Sequence, residues 1–229
     1  VVVWYMRKKR EFLRQRFFQQ INRVRMENLR SRISPHFTFN VLGREINQFN
    51  GSEEVKHNLM ELVKYLRRSL ELTEKLSVSL QDELDFVRTY IELERGRVGE
   101  DFVATVTVED GLDATRIMIP SMIVQIPVEN AIKHGLAGKD GKKELSVYVS
   151  RETNGIRITV TDNGRGYLPQ VVSATQGTGT GLKVLYQTIQ LLNTKNKSDK
   201  IRFNITNRSD GQTGTEVSVY IPFRFSYDL

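Results

Sequence analysis

The chain has 229 residues, of which 39% are hydrophobic and 27% are charged, and it contains no cysteine. This composition is typical of a globular protein and excludes disordered and collagen-like chains. The lack of cysteine excludes a disulfide scaffold, a thiol nucleophile and a thiolate metal site. The three histidines (His36, His57 and His134) do not have the HExxH spacing of a zinc site.

The net charge of +7 is concentrated at one end of the chain. Residues 1–32 hold ten Lys or Arg against two Glu, a net charge of +8, whereas 33–229 carry 24 basic and 25 acidic residues, a net charge of −1. The body has no basic face and no nucleic-acid-reading motif, so we expect no nucleic-acid binding. A binder that uses only the basic segment 7–32 is the alternative.

The basic segment directly follows the apolar residues 1–6, which include Trp4 and Tyr5. Six residues are too few to cross a bilayer, which takes about 20. The pattern predicts the end of a transmembrane helix, with aromatic residues at the interface and basic residues on the cytoplasmic side. We therefore expect a protein of the inner membrane whose body lies in the cytoplasm. A free, solvated basic helix end is the alternative.

Apolar residues at spacings of three and four predict two helices before residue 77. The first runs over about 7–50, and the second follows the turn Asn50-Gly51-Ser52. Together they form a helical hairpin over 7–76, which buries little surface alone. Dimerisation into a four-helix bundle would complete its core, so we expect a homodimer. A second domain is expected over 77–229.

Helices and strands are mixed in this second domain. Ser79 is expected to cap a helix that runs to about Arg97, and Pro120 to open a helix that ends at Gly135. Strands are predicted at 102–108, 145–149, 156–161, 201–206 and 215–221, and a further helix at about 181–193. Two hairpins among these strands indicate a partly antiparallel sheet, and hence an α+β fold.

Three patches in this domain have chemistry suited to a nucleotide. On a helix, Asn130, Lys133 and His134 share one face, and an amide oxygen beside a lysine suits a metal–phosphate pair. An ordinary polar helix face is the alternative. Asp162 follows a strand and precedes Gly164 and Gly166, so its carboxylate is able to accept from an exocyclic amine while the glycines admit a planar ligand. A simple turn is the alternative.

The third patch is glycine-rich and leads into a helix, where bare backbone N–H groups favour anions. It comprises Gly177, Thr178, Gly179, Thr180, Gly181 and Leu182. It matches neither the Walker loop nor the dinucleotide-binding fingerprint, and a flexible linker is the alternative.

The order of these patches resembles the ATP-binding domain of the histidine kinase, gyrase and Hsp90 superfamily, the GHKL or Bergerat fold, over about 77–229. Upstream, residues 32–42 resemble the phosphoacceptor box of LytS/YehU-type sensor histidine kinases. The pattern formed by Glu83, Tyr90, Ile91 and Glu94 also looks like that subfamily. The chain departs from the pattern at Thr38, at Gly43 and after Leu182.

The resemblance implies a kinase of a two-component system. ATP would phosphorylate His36, and the phosphoryl group would pass to an aspartate of a response regulator. Asn130 would hold Mg²⁺, and Asp162 would receive the adenine amine. Lys133 would contact phosphates, with His134 as a second candidate for that role. Gly164 and Gly166 would shape the pocket, and the 177–182 patch would border the lid. Gly214 and Thr215 would belong to the last adenine-side element.

The general base for His36 stays open, because Phe37 rather than an acid follows it and Glu129 lies in the nucleotide domain. Ile126 stands four residues before Asn130, where superfamily members that hydrolyse ATP with water commonly carry a glutamate. This difference disfavours a gyrase- or Hsp90-like ATPase. The alternative function is a catalytically degenerate nucleotide-binding dimerisation and sensing module.

Overall fold

The computed structural model describes residues 53–167, 178–196 and 198–227. The predicted end of a transmembrane helix, the first helix of the hairpin, His36 and Gly177 lie outside these ranges. None of the helices within them combines the length and the apolar run that a bilayer crossing needs.

The described chain is an α+β arrangement, as predicted. Its elements are α1 (Glu53–Glu74), β1 (Ser77–Ser79), α2 (Leu80–Val98), β2 (Phe102–Val108), β3 (Met118–Pro120), α3 (Gln125–Asn130), a π-helical turn (Ala131–Gly135), β4 (Lys143–Glu152), β5 (Gly155–Asp162), α4 (Thr178–Lys195), β6 (Arg202–Asn207) and β7 (Thr215–Pro222). The five predicted strands are all present, with ends shifted by up to three residues.

Five strands form one sheet in the order β2-β4-β5-β7-β6. The β2–β4 pair is parallel and the other pairs are antiparallel, which confirms the partly antiparallel sheet. Successive side chains of a strand point to opposite faces, so Ile158, Val160 and Asp162 of β5 share the buried face. The strand therefore places the Asp162 carboxyl in the core layer rather than in solvent.

Helix α2 supplies much of the apolar surface that meets the core. Its predicted inward residues are all buried, namely Leu80, Leu84, Val87 and Ile91. The Ser79 side chain accepts the Asp82 N–H at 3.0 Å, which confirms the predicted N-cap. Gly99 ends the helix with a φ of 112°, a conformation that favours glycine.

The predicted helix from Pro120 to Gly135 is wrong over its first five residues. Pro120 instead ends the short strand β3, which pairs with β1 through the Ser77–Pro120 register. Met122 then adopts a left-handed φ of 68°, and the regular helix begins only at Gln125. This pairing with a distant segment overrides the local helix-opening signal of proline. Beyond Asn130 the helix widens into a π turn, which the Leu136 N–H closes on the Ala131 carbonyl at 2.8 Å.

Helix α4 begins at Thr178, three residues before the predicted start. Because glycine has a low helix propensity, the sequence predicted that the helix begins at the end of the glycine-rich patch. In the structure Gly181 lies within the helix and is buried.

The C-terminal half of α1 packs on the domain that carries the sheet. Leu72 is fully buried, and its carbonyl accepts the Ser121 hydroxyl at 2.5 Å. The Tyr65 ring stacks on Phe86 of α2, with centroids 4.8 Å apart. The second helix of the predicted hairpin is thus present and joined to the core. A domain boundary at residue 77 stays a prediction.

Candidate nucleotide site

Two walls carry the residues predicted to contact a nucleotide. The helix wall is residues 125–135, which form α3 and the π turn. The sheet wall is the end of β5 with its loop, 162–166, together with Gly214 and Thr215 at the start of β7. The two walls meet where the π turn ends against the Asp162 carboxyl.

Asp162 is buried, with 4% of its surface exposed. Its Oδ1 accepts the Gly164 N–H at 2.8 Å and the Thr215 N–H at 3.4 Å. Burial raises the pKa of Asp162 above its ordinary value, while these backbone N–H groups act in the opposite direction by stabilising the carboxylate. The structure therefore fixes one carboxyl oxygen through the backbone, at a place where desolvation strengthens hydrogen bonds.

Glycines surround this carboxyl so closely that side chains are excluded. A Cβ on Gly164 would lie 2.1 Å from the Gly135 carbonyl oxygen, and one on Gly135 would lie 2.8 Å from Asp162 Oδ1. A Cβ on Gly214, whose φ is 137°, would lie 1.9 Å from the Asp162 carbonyl oxygen. Contacts this short are far inside van der Waals separation. Glycine is thus required at these three positions. The sequence indicated Gly164 and Gly214 as parts of the site, and Gly135 only as the end of a helix.

Gly166 has a different reason to be glycine. Its φ is 85°, in the region that other residues rarely adopt, and a Cβ there would lie 2.8 Å from Asn207 Oδ1. That same oxygen accepts the Tyr167 N–H at 2.6 Å. Asn207, at the end of β6, therefore helps to fix the loop that leaves the sheet wall, and no sequence pattern indicated it.

Arg165 joins the two walls. Its Nε donates to the His134 carbonyl at 2.8 Å, and its backbone N–H donates to the Gly135 carbonyl at 3.3 Å. These carbonyls belong to the end of the helical segment, where a positive charge is favourable. Arg165 thus contributes to the relative position of the two walls. The sequence offered no reason to select it other than its place between Gly164 and Gly166.

The helix wall ends with the polar residues predicted to meet a metal and phosphates. The Nδ2 atom of Asn130 is buried and has no hydrogen-bond partner within the described ranges. A buried polar atom of this kind normally has a partner, and phosphate oxygens and metal-bound water are acceptors that fit it. Lys133 turns back to Glu129, with Nζ and Oε1 2.6 Å apart. The structure therefore pairs Lys133 with Glu129, four residues away, while the lysine head stays near the surface.

The wider π turn also changes the geometry assumed for this face. Asn130 is the last residue of α3, whereas Lys133 and His134 belong to the π turn. Residues three or four apart lie on the same face of an α-helix. A π turn holds more residues per turn, so the same spacing does not place them on the same face in that way. The three residues remain on one wall, although their shared face does not follow from α-helical periodicity.

The described residues fit a metal that arrives with the nucleotide. They contain no cluster of three or more acidic or histidine side chains able to hold a metal ion. Mg²⁺ is commonly held by one or two protein ligands together with substrate phosphates and water. The Asn130 amide oxygen, beside a surface lysine, is compatible with that arrangement.

The third predicted patch is partly described. Gly181 is buried, and Leu182 packs against the core as a partly buried residue of α4. Thr178, Gly179 and Thr180 form the first turn of the helix, and Gly177 precedes the described range. The helix start thus coincides with the predicted lid border.

A separate cavity of about 440 Å³ opens at the same end of the sheet as the sheet wall, but on the opposite face. Its lining includes Thr105, Glu144, Arg208, Asp210 and Glu216. None of the predicted nucleotide residues lines it, and side chains such as Thr105 lie on the solvent face of the sheet. We therefore place the candidate site at the two walls and not in this cavity.

Two family models match the chain in succession. The histidine kinase model matches residues 24–102, and the model of histidine kinase-, DNA gyrase B- and HSP90-like ATPases matches residues 115–224. The second match contains both walls of the candidate site. The first contains His36.

Individual relatives match most of the chain. It is 28% identical over 205 residues to the sensor histidine kinase YpdA of Escherichia coli (strain K12), covering 89% of this chain and 35% of that protein. It is 32% identical over 197 residues to the sensor histidine kinase/phosphatase LytS of Staphylococcus aureus (strain MRSA252), covering 82% of this chain and 33% of that protein. The chain thus spans about a third of the length of these curated relatives.

Solved structures include a histidine kinase domain from the blue-light activated histidine kinase of Erythrobacter litoralis EL346. It aligns with a TM-score of 0.49 and 17% identity, over 90% of this chain and 94% of that one. The adjoining family matches and the sensor kinase relatives agree with the LytS-type resemblance seen in the sequence. The chain therefore belongs to the histidine kinases and carries an ATPase domain of the type shared with DNA gyrase B and HSP90.

Proposed function

We propose that this chain is the kinase portion of a two-component sensor, and that it uses Mg²⁺-ATP to phosphorylate His36. The observation that carries the proposal is the Asp162 carboxyl, buried and fixed by backbone N–H groups within three glycines that leave no room for side chains. This cradle combines a hydrogen-bond acceptor with exposed backbone, which suits a planar base bearing an amine. The family matches supply the class of chemistry.

In this proposal each wall holds one end of the nucleotide. Asp162 accepts from the adenine amine, and Gly164, Gly166 and Thr215 shape its surroundings. On the helix wall, Asn130 provides an oxygen ligand for Mg²⁺, while Lys133 meets phosphate charge and His134 borders it. Bound Mg²⁺ would neutralise charge on the phosphates during transfer. The start of α4, with Gly177, Gly179 and Gly181, borders the triphosphate end.

The step itself is a phosphoryl transfer to nitrogen. A ring nitrogen of neutral His36 attacks the γ-phosphorus, and the new N–P bond forms as the bond to the leaving oxygen of ADP breaks. Imidazole has an ordinary pKa near 6.5, so the neutral nucleophile is the major form at pH 7. The protein contributes mainly alignment and charge neutralisation.

Ile126 supports histidine rather than water as the acceptor. It stands four residues before Asn130 and is buried in the core, with 6% of its surface exposed. An apolar side chain at this position has no means to activate a water molecule. The helix wall thus lacks, at that position, the carboxylate that an ATP-hydrolysing relative would use.

The larger assembly is also part of the proposal. The phosphoryl group passes from His36 to an aspartate of a response regulator, and two copies of the chain pair through the helical hairpin. A transmembrane helix that ends at residues 1–6 connects the chain to the inner membrane. These parts rest on the sequence pattern and on the family.

Labelling with [γ-³²P]ATP tests the kinase activity. The full chain with Mg²⁺ should acquire acid-labile label, and His36→Gln should acquire none. His57→Gln is the matched control and should label like the wild type. Equal label on His36→Gln would reject the acceptor. Binding of nucleotide by the wild type without any label would favour the alternative, a nucleotide-sensing module that does not phosphorylate itself.

A further inference from the structure

Glu83 is a fully buried acid on α2 whose carboxylate is surrounded by backbone donors from another part of the chain. Its Oε2 accepts the Met122 N–H at 2.9 Å. Its Oε1 accepts the Val124 N–H at 3.0 Å and the Gln125 N–H at 3.2 Å. These donors lie 39 to 42 residues further along the chain. A local turn cannot account for this arrangement.

The three donors belong to the segment that begins α3. The first N–H groups of a helix have no partner within the helix, and an adjacent side chain normally caps them. Val124 occupies the cap position, and its apolar side chain makes no such bond. Glu83 supplies the missing acceptor, and its negative charge suits a helix N-terminus.

Met122 shows how closely this segment is held. Its φ of 68° is left-handed, which is rare for a residue with a long side chain. A conformation of this kind persists when its surroundings fix it. Here the Glu83 carboxylate accepts the N–H of that same residue, on the side where the chain turns into α3.

The helix held in this way is short and ends at the proposed metal ligand. Helix α3 has six residues, and Asn130 is the last of them. Gln125, at its first position, also donates through Nε2 to the Tyr65 hydroxyl of α1 at 3.2 Å. The start of the helix is therefore fixed on two sides, and a displacement there would carry Asn130 with it.

We propose that Glu83 is the positioning residue of the magnesium–nucleotide site, acting through α3 on the Asn130 amide. The proposal rests on the proposed function, because it assumes that Asn130 meets Mg²⁺. It goes further, because it says that Glu83, a buried acid on a different helix, fixes the position of the Asn130 amide. A buried carboxylate is costly unless its hydrogen bonds are made, and Glu83 accepts three of them from the segment that leads to Asn130.

The test is the gain in nucleotide affinity that Mg²⁺ provides. The dissociation constant of ATP is measured by calorimetry on the full chain, once with Mg²⁺ and once with EDTA. Glu83→Gln keeps the size of the side chain but turns a donor toward backbone N–H groups. We expect it to reduce the Mg²⁺-dependent gain by about tenfold, the scale typical of residues that orient a metal ligand. The EDTA value should change much less.

Leu84→Ala is the matched control, because Leu84 is fully buried beside Glu83 and contacts the same core. It should lower the melting temperature and leave the Mg²⁺-dependent gain intact. Glu83→Asp, which keeps the charge but is one methylene shorter, should give a smaller reduction than Glu83→Gln. It also serves as the test if Glu83→Gln does not fold.

The outcomes separate the two proposals. Asn130→Ala should lose the Mg²⁺-dependent gain, and a wild-type chain with no such gain would overturn both proposals together. A wild type that shows the gain, with Glu83 variants that keep it at a lowered melting temperature, would overturn the positioning role alone. An equal loss of the Mg²⁺-dependent gain in Leu84→Ala would also overturn the positioning role, because it would show that any destabilisation of the core reduces the gain.

Discussion

The two walls of the candidate site are fixed in different ways. The sheet wall is held by what touches it directly, because the Asp162 carboxyl is bonded to Gly164 and Thr215 and enclosed by glycine backbone. The helix wall is held from a distance, through a short helix whose start is capped by Glu83. Substitutions at the sheet wall itself should therefore disrupt nucleotide binding there. Binding at the helix wall should also be sensitive to substitutions far from the nucleotide.

The largest effect should follow a substitution in the glycine cradle. In Gly164→Ala the new Cβ would meet the Gly135 carbonyl oxygen at 2.1 Å and force the walls apart. We expect a loss of about 3 kcal/mol in the free energy of unfolding, near the upper end for overpacked sites. ATP binding should be lost as well. Urea unfolding and ATP titration measure the two effects.

Gly96→Ala is the matched control, because no atom outside its own stretch of helix lies within 4 Å of the added Cβ. It should leave ATP binding unchanged and should stabilise the helix by up to about 1 kcal/mol. Wild-type ATP affinity in Gly164→Ala would show that the cradle is not the binding surface.

An intermediate effect should follow the loss of the buried charge. Asp162→Asn keeps an oxygen acceptor but removes the charge, and we expect roughly a 10- to 100-fold weaker ATP affinity, the scale of a hydrogen bond to a charged group. Asp210→Asn changes an exposed acid of the same type and is the control. If both variants bind ATP like the wild type, Asp162 does not contact the base.

The same substitution gives a pH dependence with a definite sign. Because burial raises the pKa of Asp162, ionisation of this group opposes folding. That penalty is absent below about pH 3.9, the ordinary pKa of aspartate, and is complete above the raised value. Asp162→Asn should therefore be at least as stable as the wild type at pH 7, with an advantage that shrinks as the pH falls toward 4. Thermal melts across this range would contradict the assignment if the advantage grew instead.

The smallest effect on stability should come from the surface of the helix wall. Lys133 pairs with Glu129, but 45% of the lysine side chain is exposed. Lys133→Ala should therefore change the free energy of unfolding by less than about 0.5 kcal/mol. It should still weaken ATP binding, more so at low salt, because the proposed function places the lysine beside phosphate charge.

Lys64→Ala is the matched control for Lys133→Ala. Lys64 forms a similar exposed pair with Glu61 on α1, at 2.7 Å. It should leave ATP affinity unchanged at every salt concentration. Equal affinities in the two variants would remove Lys133 from the phosphate site.

The same contrast explains what the sequence was able to predict. Most of the sheet wall consists of consecutive residues, so the alternation along β5 and the glycines after Asp162 indicated it as a candidate, although Thr215 joins it from 53 residues further along the chain. The helix wall depends on contacts between distant segments. No local pattern indicated that Pro120 would pair with Ser77, or that the helix would change to a π turn after Asn130.

Glu83 illustrates the limit most clearly. It was selected as part of a family pattern, with no physical role. Its role depends on N–H groups about 40 residues away, which only the folded chain brings to its carboxylate. Gly135 and Gly214 are similar cases, since their need for glycine comes from the Asp162 region and not from their neighbours in sequence.

The central claim is that the two walls bind the Mg²⁺-ATP that phosphorylates His36. The most direct measurement is mass-spectrometric mapping of phosphate on the full chain after incubation with Mg²⁺-ATP, under conditions that preserve phosphohistidine. The account predicts phosphate on His36 in the wild type, and strongly reduced phosphate there in Asn130→Ala and Asp162→Asn at limiting ATP. Phosphate on another residue, or undiminished phosphate on His36 in both variants, would contradict it.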